Sequence, residues 1–251
     1  MPVVSAAVCP HPPLLVPEVA TGAAPDLDEL RAVCLAAVNH LAAADGILVI
    51  GAAPPAPAQG AGSGLVSSPD TPGLALGGGR GVWYDGSAGG GFGAYGAPSV
   101  RFGDGPAVLP LSLAIGGWLL EQSKAAGLPR TYRAIDPATP PADCLELGRS
   151  IAQGNHRIGL LVMGDGAPRR SEHSPVHLHP RAEIFDQTVA AALAAADADV
   201  LAALDPDLAT ELQAAGRAPW QVLAGALGDL QGDLRYDAAP YGVGYFVASF
   251  S

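Results

Sequence analysis

The chain alternates between two hydrophobic rhythms. Short, almost wholly apolar runs occur at 3–8 (VVSAAV), 47–50 (ILVI) and 157–163 (RIGLLVM). Runs of this length predict strands buried on both faces of a sheet. Between the first two, over 25–44, Leu27, Leu30, Val33, Cys34, Ala37, Val38 and Leu41 recur at the spacing of one helix face. Asp26, Asp28 and Glu29 stand in its first turn, where the helix dipole favours acids. The same reading predicts helices over 109–126, started by Pro110, and over 140–153, 181–196, 199–204, 206–215 and 219–227. Further strands are predicted at 131–135, 234–236 and 241–250. Strands alternating with helices make an α/β fold: one domain over 1–251, with a central mixed or mostly parallel sheet flanked by helices. Residues 51–106, rich in Gly, Pro and Ser, read as loops.

Chemistry is expected where the strands stop. The first apolar run ends at Cys9-Pro10-His11-Pro12-Pro13. Prolines cannot donate ladder hydrogen bonds and hold the backbone extended, so His11 is mounted on a stiff loop at a strand end. Such a histidine serves as a metal ligand or a base, or it hydrogen-bonds a neighbouring loop. The run 157–163 opens into a second charged loop carrying Asp165, Arg169, Arg170, Glu172 and His173. The arginine pair suits a carboxylate or phosphate held bidentately, or belongs to a solvated loop with internal ion pairs. His173, His177 and His179 form an H-x3-H-x-H cluster whose alternation on an extended segment would share one face, a further candidate metal site. The candidates are His11, Asp165 and His173 for catalysis, Arg169 and Arg170 for substrate binding, and His11 for a metal. His11, Asp165 and Arg170 are expected to converge at one edge of the sheet, since α/β sheets bind ligands beyond their carboxyl strand ends.

Composition narrows the partners. Lys and Arg total 13 against 24 Asp and Glu, a formal charge of −11, and no basic run appears, so nucleic acid is not expected. Three scattered cysteines provide no disulfide framework or zinc knuckle, which suits a reducing compartment. Neither a signal segment at Met1 nor an apolar run of membrane-spanning length is present, and the expectation is a cytoplasmic protein without a membrane partner. The 60–64 stretch GAGSG lacks the G-x-G-x-x-G spacing and a following helix, so no dinucleotide cofactor is expected. A chain 49% hydrophobic and apolar for its charge is expected to form a homo-oligomer through 107–120 or the C-terminal helices.

Three stretches, taken in order, carry a resemblance. They are CPHPPLLVPEV at 9–19, then LLVMGDG at 160–166 followed by Ser174-Pro175 and FDQTVAAAL at 185–193, and finally GRAPWQVLAGAL at 216–227 with APYGVGYFVASF at 239–250. Together they resemble the catalytic B subunit of class III extradiol ring-cleavage dioxygenases, the LigB-like superfamily that includes the MEMO proteins. The resemblance implies a LigB-like α/β domain. In active members it implies Fe(II) held by two histidines and a glutamate, with a further histidine as base toward a catechol. His11 matches the first ligand. Gly51-Ala52-Ala53 follows the second strand where the second histidine belongs, Ala214 stands for the glutamate, Pro168 for the base and Gly105 for another family histidine. No cofactor follows from the residues themselves; Fe(II) or another divalent metal follows from the resemblance alone. The expectation is a degenerate iron site that binds a small anionic or aromatic molecule without family-type ring cleavage. The alternative is an active non-heme iron dioxygenase or related oxidoreductase with a rebuilt metal site.

Overall fold

A computed structural model describes residues 3–53 and 81–251; the 60–64 glycines lie outside them. Seven strands form the main sheet in the order β3 (Gly81–Tyr84), β6 (Arg130–Ile135), β2 (Gly46–Ala52), β7 (Ile158–Met163), β1 (Val3–Cys9), β9 (Tyr245–Phe250) and β8 (Gly232–Ala238). The inner four, β6-β2-β7-β1, run parallel; β3 at one edge and β9 beside β1 run against them, and the outermost strand β8 pairs antiparallel with β9. This is the mixed, mostly parallel α/β sheet that the apolar runs predict.

Register explains why those runs are continuous. Ala7, Leu161, Val49 and Tyr132 pair in one row across four strands and enter one core, while Val8, Val162 and Ile50 in the next row enter the other. With side chains alternating between two buried faces, nearly every position is apolar; Ser5 of β1 and Arg133 of β6 are buried exceptions. One face is covered by α2 (Asp28–Asn39) and α3 (Leu111–Glu121), the other by α4 (Pro141–Ala152), α5 (Ala182–Ala195) and α8 (Arg217–Ala226). The short helices α1 (Pro17–Ala20), α6 (Ala198–Ala202) and α7 (Pro206–Leu212) complete the order.

Two expectations need correction. The expected helix over 25–44 is α2 between 3-10 turns at Thr21–Leu27 and His40–Ala43, because Pro25 inside the first turn removes an amide donor. Residues 81–102, read as loop, contain β3 and a hairpin of β4 (Gly90–Phe92) and β5 (Ala97–Phe102). These strands are three to six residues long; glycines in β3 and β4, and Pro98-Ser99 in β5, hide the alternation that would have marked them. Within the apolar 107–120 segment, Leu113, Ala114, Ile115, Leu119 and Leu120 of α3 are buried in the core, while Ala107 is exposed and Val108, Leu111 and Trp118 are half-buried. No helix among the described residues is long and apolar enough to cross a membrane.

The parallel strands deliver their carboxyl ends to one edge. Cys9 pairs with Met163, Gly51 with Met163, and Ala52 with Ile135, so the loops after β1, β7, β2 and β6 emerge side by side. β9 starts at this same edge with Tyr245, running antiparallel to β1.

At the end of α7, exposed Gln213 adopts φ 57 and ψ 32, a left-handed conformation that glycine takes at no steric cost. Gln213→Gly should raise the free energy of unfolding by about 0.5–1 kcal/mol in urea titration. A loss of stability would show that the Gln213 side chain holds something the backbone does not.

Candidate functional site

The His11 loop is built stiff. Leu15 and Val16 return N–H bonds to Pro12 O (3.0 Å) and Pro13 O (3.1 Å), and Arg31 of α2 donates Nε–H to Leu15 O at 2.8 Å. His11 itself is 8% exposed. Its main-chain N–H donates to Asp165 Oδ1 at 2.7 Å, and its imidazole Nδ1 lies 3.5 Å from that same oxygen. Nδ1 is buried and has no hydrogen-bond partner. The structure therefore brings together the residues that end β1 and β7, as their strand-end positions predict.

Asp165 is fixed from several sides. Gly164 N–H donates to Cys9 O at 3.0 Å, Gly166 N–H to Gly244 O at 2.7 Å, and Gly216 N–H to Asp165 O at 2.8 Å. The loop after β7 is thus tied to the end of β1, the entry to β9 and the start of α8. Burial pushes the Asp165 carboxyl above its ordinary range, against the opposing pull of the His11 charge and N–H. Burial, and then the Asp165 charge, pushes the nearby Tyr245 phenol up, so Tyr245 stays protonated as a neutral wall of the site. Cys9 and Cys34 lie beneath, with Cys9 Sγ 4.0 Å from Cys34 O. Burial raises the Cys34 thiol well above its usual value, which makes it a packing group rather than a nucleophile.

The remaining loop candidates divide. Arg170 turns inward: its Nη1 donates to Asp186 Oδ2 at 3.0 Å, and Nη2 lies 3.8 Å from Glu183. Arg169 is half-buried, and its Nε has no hydrogen-bond partner. His173 is exposed, its main-chain N–H donating to Ser171 Oγ at 3.3 Å, and His177 is exposed as well. His179 pairs through Nε2 with Glu211 at 3.0 Å. Among the described residues, which include all six histidines, no group of three or more His, Cys, Asp or Glu side chains is placed to hold a metal ion. Neither the H-x3-H-x-H cluster nor the His11–Asp165 pair fits a metal centre with three protein ligands.

Asp186 is the residue that sequence reasoning missed. Its side chain is fully buried on α5; Oδ1 accepts the Ala167 N–H at 3.0 Å and Oδ2 the Arg170 guanidinium. A Cβ on Gly166 would stand 2.6 Å from Oδ1 and one on Gly244 2.1 Å from Oδ2, so glycine at both positions lets two loops close on the carboxylate. The signal was present: Asp186 shares its helix face with Ala182, Val189, Ala190 and Leu193, and a charge on an apolar face requires a buried partner.

No family model matches the chain, and no curated protein matches it. Among solved structures, the uncharacterized protein JW3007 from Escherichia coli K12 aligns with 98% of this chain and 99% of its own, at 16% identity and a TM-score of 0.46.

Burial pushes the Asp186 carboxyl from its ordinary 3.8 up to about 6, outweighing the Ala167 N–H and Arg170, both of which pull it down. A carboxyl raised on folding holds its proton more tightly in the native state. Stability therefore falls as pH rises through the window from 3.8 to about 6, by about 3 kcal/mol in all. Asp186→Asn cannot titrate, so the stability of wild type relative to the variant should drop by about that amount across the window in denaturant titrations. Parallel pH curves would contradict the assignment. Gly244→Ala should cost about 1–3 kcal/mol by forcing a methyl group onto the carboxylate, measured in the same way.

Proposed function

We propose that the chain binds a small aromatic or anionic molecule at the His11–Asp165 pair, on a LigB-like scaffold, without cleaving a ring. The observation that carries this reading is the buried Nδ1 of His11, 3.5 Å from Asp165 Oδ1 and lacking a hydrogen-bond partner. A buried polar atom left unpaired is costly, and a site whose closing on ligand draws Nδ1–H onto the Asp165 carboxylate recovers that cost. With the imidazole proton on Nδ1 facing the carboxylate, Nε2 becomes an acceptor for a ligand hydroxyl.

The residues present do not support an iron centre. Ala53, which takes the place of the second histidine, follows β2, two strands from β1 and so about 10 Å across the sheet. Its N–H is used by Ile135 O at 2.9 Å, and its side chain offers no donor atom. Ala214, in place of the glutamate, lies two residues from Gly216, which touches Asp165, and likewise offers none. One imidazole and one carboxylate hold a first-row divalent ion weakly. Asp186 occupies Arg170, which supports Arg169 as the contact for an anionic group on the ligand.

The test uses 3,4-dihydroxybenzoate as probe, with and without Fe(II) under anaerobic loading followed by O2. We expect reversible binding by calorimetry and an unchanged aromatic absorbance. His11→Ala should weaken binding about tenfold while leaving the melting temperature near wild type, because it removes one hydrogen bond made only with ligand. Arg169→Ala should weaken the benzoate more than it weakens catechol. Iron-dependent appearance of a ring-opened product would restore the dioxygenase reading, and the absence of any binding would remove the site.

A further inference from the structure

We infer that a second cleft, at the start of α8, binds a small carboxylate through Arg217. Arg217 is 3% exposed, and every partner it has is neutral: Nη1 donates to Thr139 O at 2.7 Å and to Gln221 Oε1 at 2.9 Å, and Nη2 donates to Pro137 O. Among the described residues no carboxylate pairs with it; the Asp136 side chain nearby accepts the Ala138 N–H at 2.9 Å instead. A guanidinium has five N–H donors and cannot shed its proton, so these three bonds leave two donors and a full positive charge without a counter-ion. A buried charge in that state is expensive unless an anion comes to it.

The space for that anion is adjacent. Arg217 lines a cleft of about 260 Å³ walled by Pro137, Ala209, Thr210, Ala214, Ala215 and Ala218. The first turn of α8 has no acidic residue and no side-chain cap, so its positive dipole end adds to the arginine instead of being neutralised. The Thr139 hydroxyl, buried beside the guanidinium, also lacks a hydrogen-bond partner. Burial holds the Arg217 pKa below its usual value, with Cys144 and Asp136 opposing.

The chemistry of the cleft selects its ligand. Two free N–H donors match the two oxygens of one carboxylate in a bidentate pair. The alanine and proline walls suit a short aliphatic body, and the volume limits the ligand to a few heavy atoms, below the size of a typical cofactor. This site is separate from the His11–Asp165 pair: it lies on the β6 side of the edge and needs no residue of that pair.

Sodium butyrate titrated into the full chain by calorimetry, with inorganic phosphate as a parallel arm, tests the inference. Butyrate should bind saturably at millimolar concentration and more tightly than phosphate. Ala215→Leu fills the cleft while leaving the carbonyl contacts of Arg217 intact, and Arg217→Lys removes the bidentate pair; each should weaken butyrate about tenfold or more. Should Arg217→Lys fail to fold, Ala215→Leu still decides the matter. Butyrate binding that is absent, or unaltered in Ala215→Leu, overturns the site, and phosphate binding more tightly overturns the carboxylate assignment.

Discussion

The buried carboxylate of Asp186 is the constraint on which the carboxyl edge of the sheet depends. From α5 it joins two loops distant in sequence: the loop after β7, through the Ala167 N–H and Arg170, and the turn before β9, through the space left by Gly244. The two turns are also laced by Gly166 N–H to Gly244 O and Gly244 N–H to Ala167 O. Removing one member of a buried charged pair costs more than the pair contributes, because the other charge is left behind. The cluster therefore works less as a source of net stability than as a device permitting only one arrangement of the two loops.

The position of Asp165 follows from that arrangement. One residue before Gly166, it cannot move without breaking the bonds to Gly244 and Gly216. Its carboxylate is thereby aimed at the end of β1, where the His11 N–H meets it. Both acids sit where burial raises their carboxyl groups, and each is restrained by a neighbouring N–H and a positive or protonatable partner. They differ in completeness. Asp186 has partners for both oxygens and is sealed, whereas Asp165 faces an imidazole nitrogen that remains unpaired. The first arrangement is structural, and the second has chemical capacity left over.

Much of this edge was legible from the residues, for physical reasons that also explain the gaps. Continuous apolar runs identified β1, β2 and β7 because strands buried on both faces select apolar residues at nearly every position, Ser5 being the exception, and strand-end residues in a parallel sheet must share an edge. That logic placed His11 beside Asp165. It could not tell Arg169 from Arg170, since which of two adjacent arginines turns inward is decided by Asp186, 16 residues further on. It passed over β3 and β4 because short strands containing Gly81, Gly90 and Gly91 carry almost no periodic signal, and β5 because six residues opening on Ala97-Pro98-Ser99 read as a turn.

The arginines of this edge show how identical side chains acquire different functions from their surroundings. Arg170 meets a carboxylate that is itself buried, so its charge is neutralised within the fold. Arg217 is buried more deeply than Arg170 yet meets only carbonyl and amide oxygens, which solvate a cation without cancelling it. Three such oxygens explain how the fold tolerates the charge: they fix the guanidinium between α8 and the turn after β6, and Gln221 is itself anchored to Ala202 O and Leu204 O. A cation needed only for cross-linking those segments could have been replaced by a neutral donor at lower desolvation cost. Keeping the charge beside an open cleft is the more expensive solution, and its advantage appears only when something negative enters.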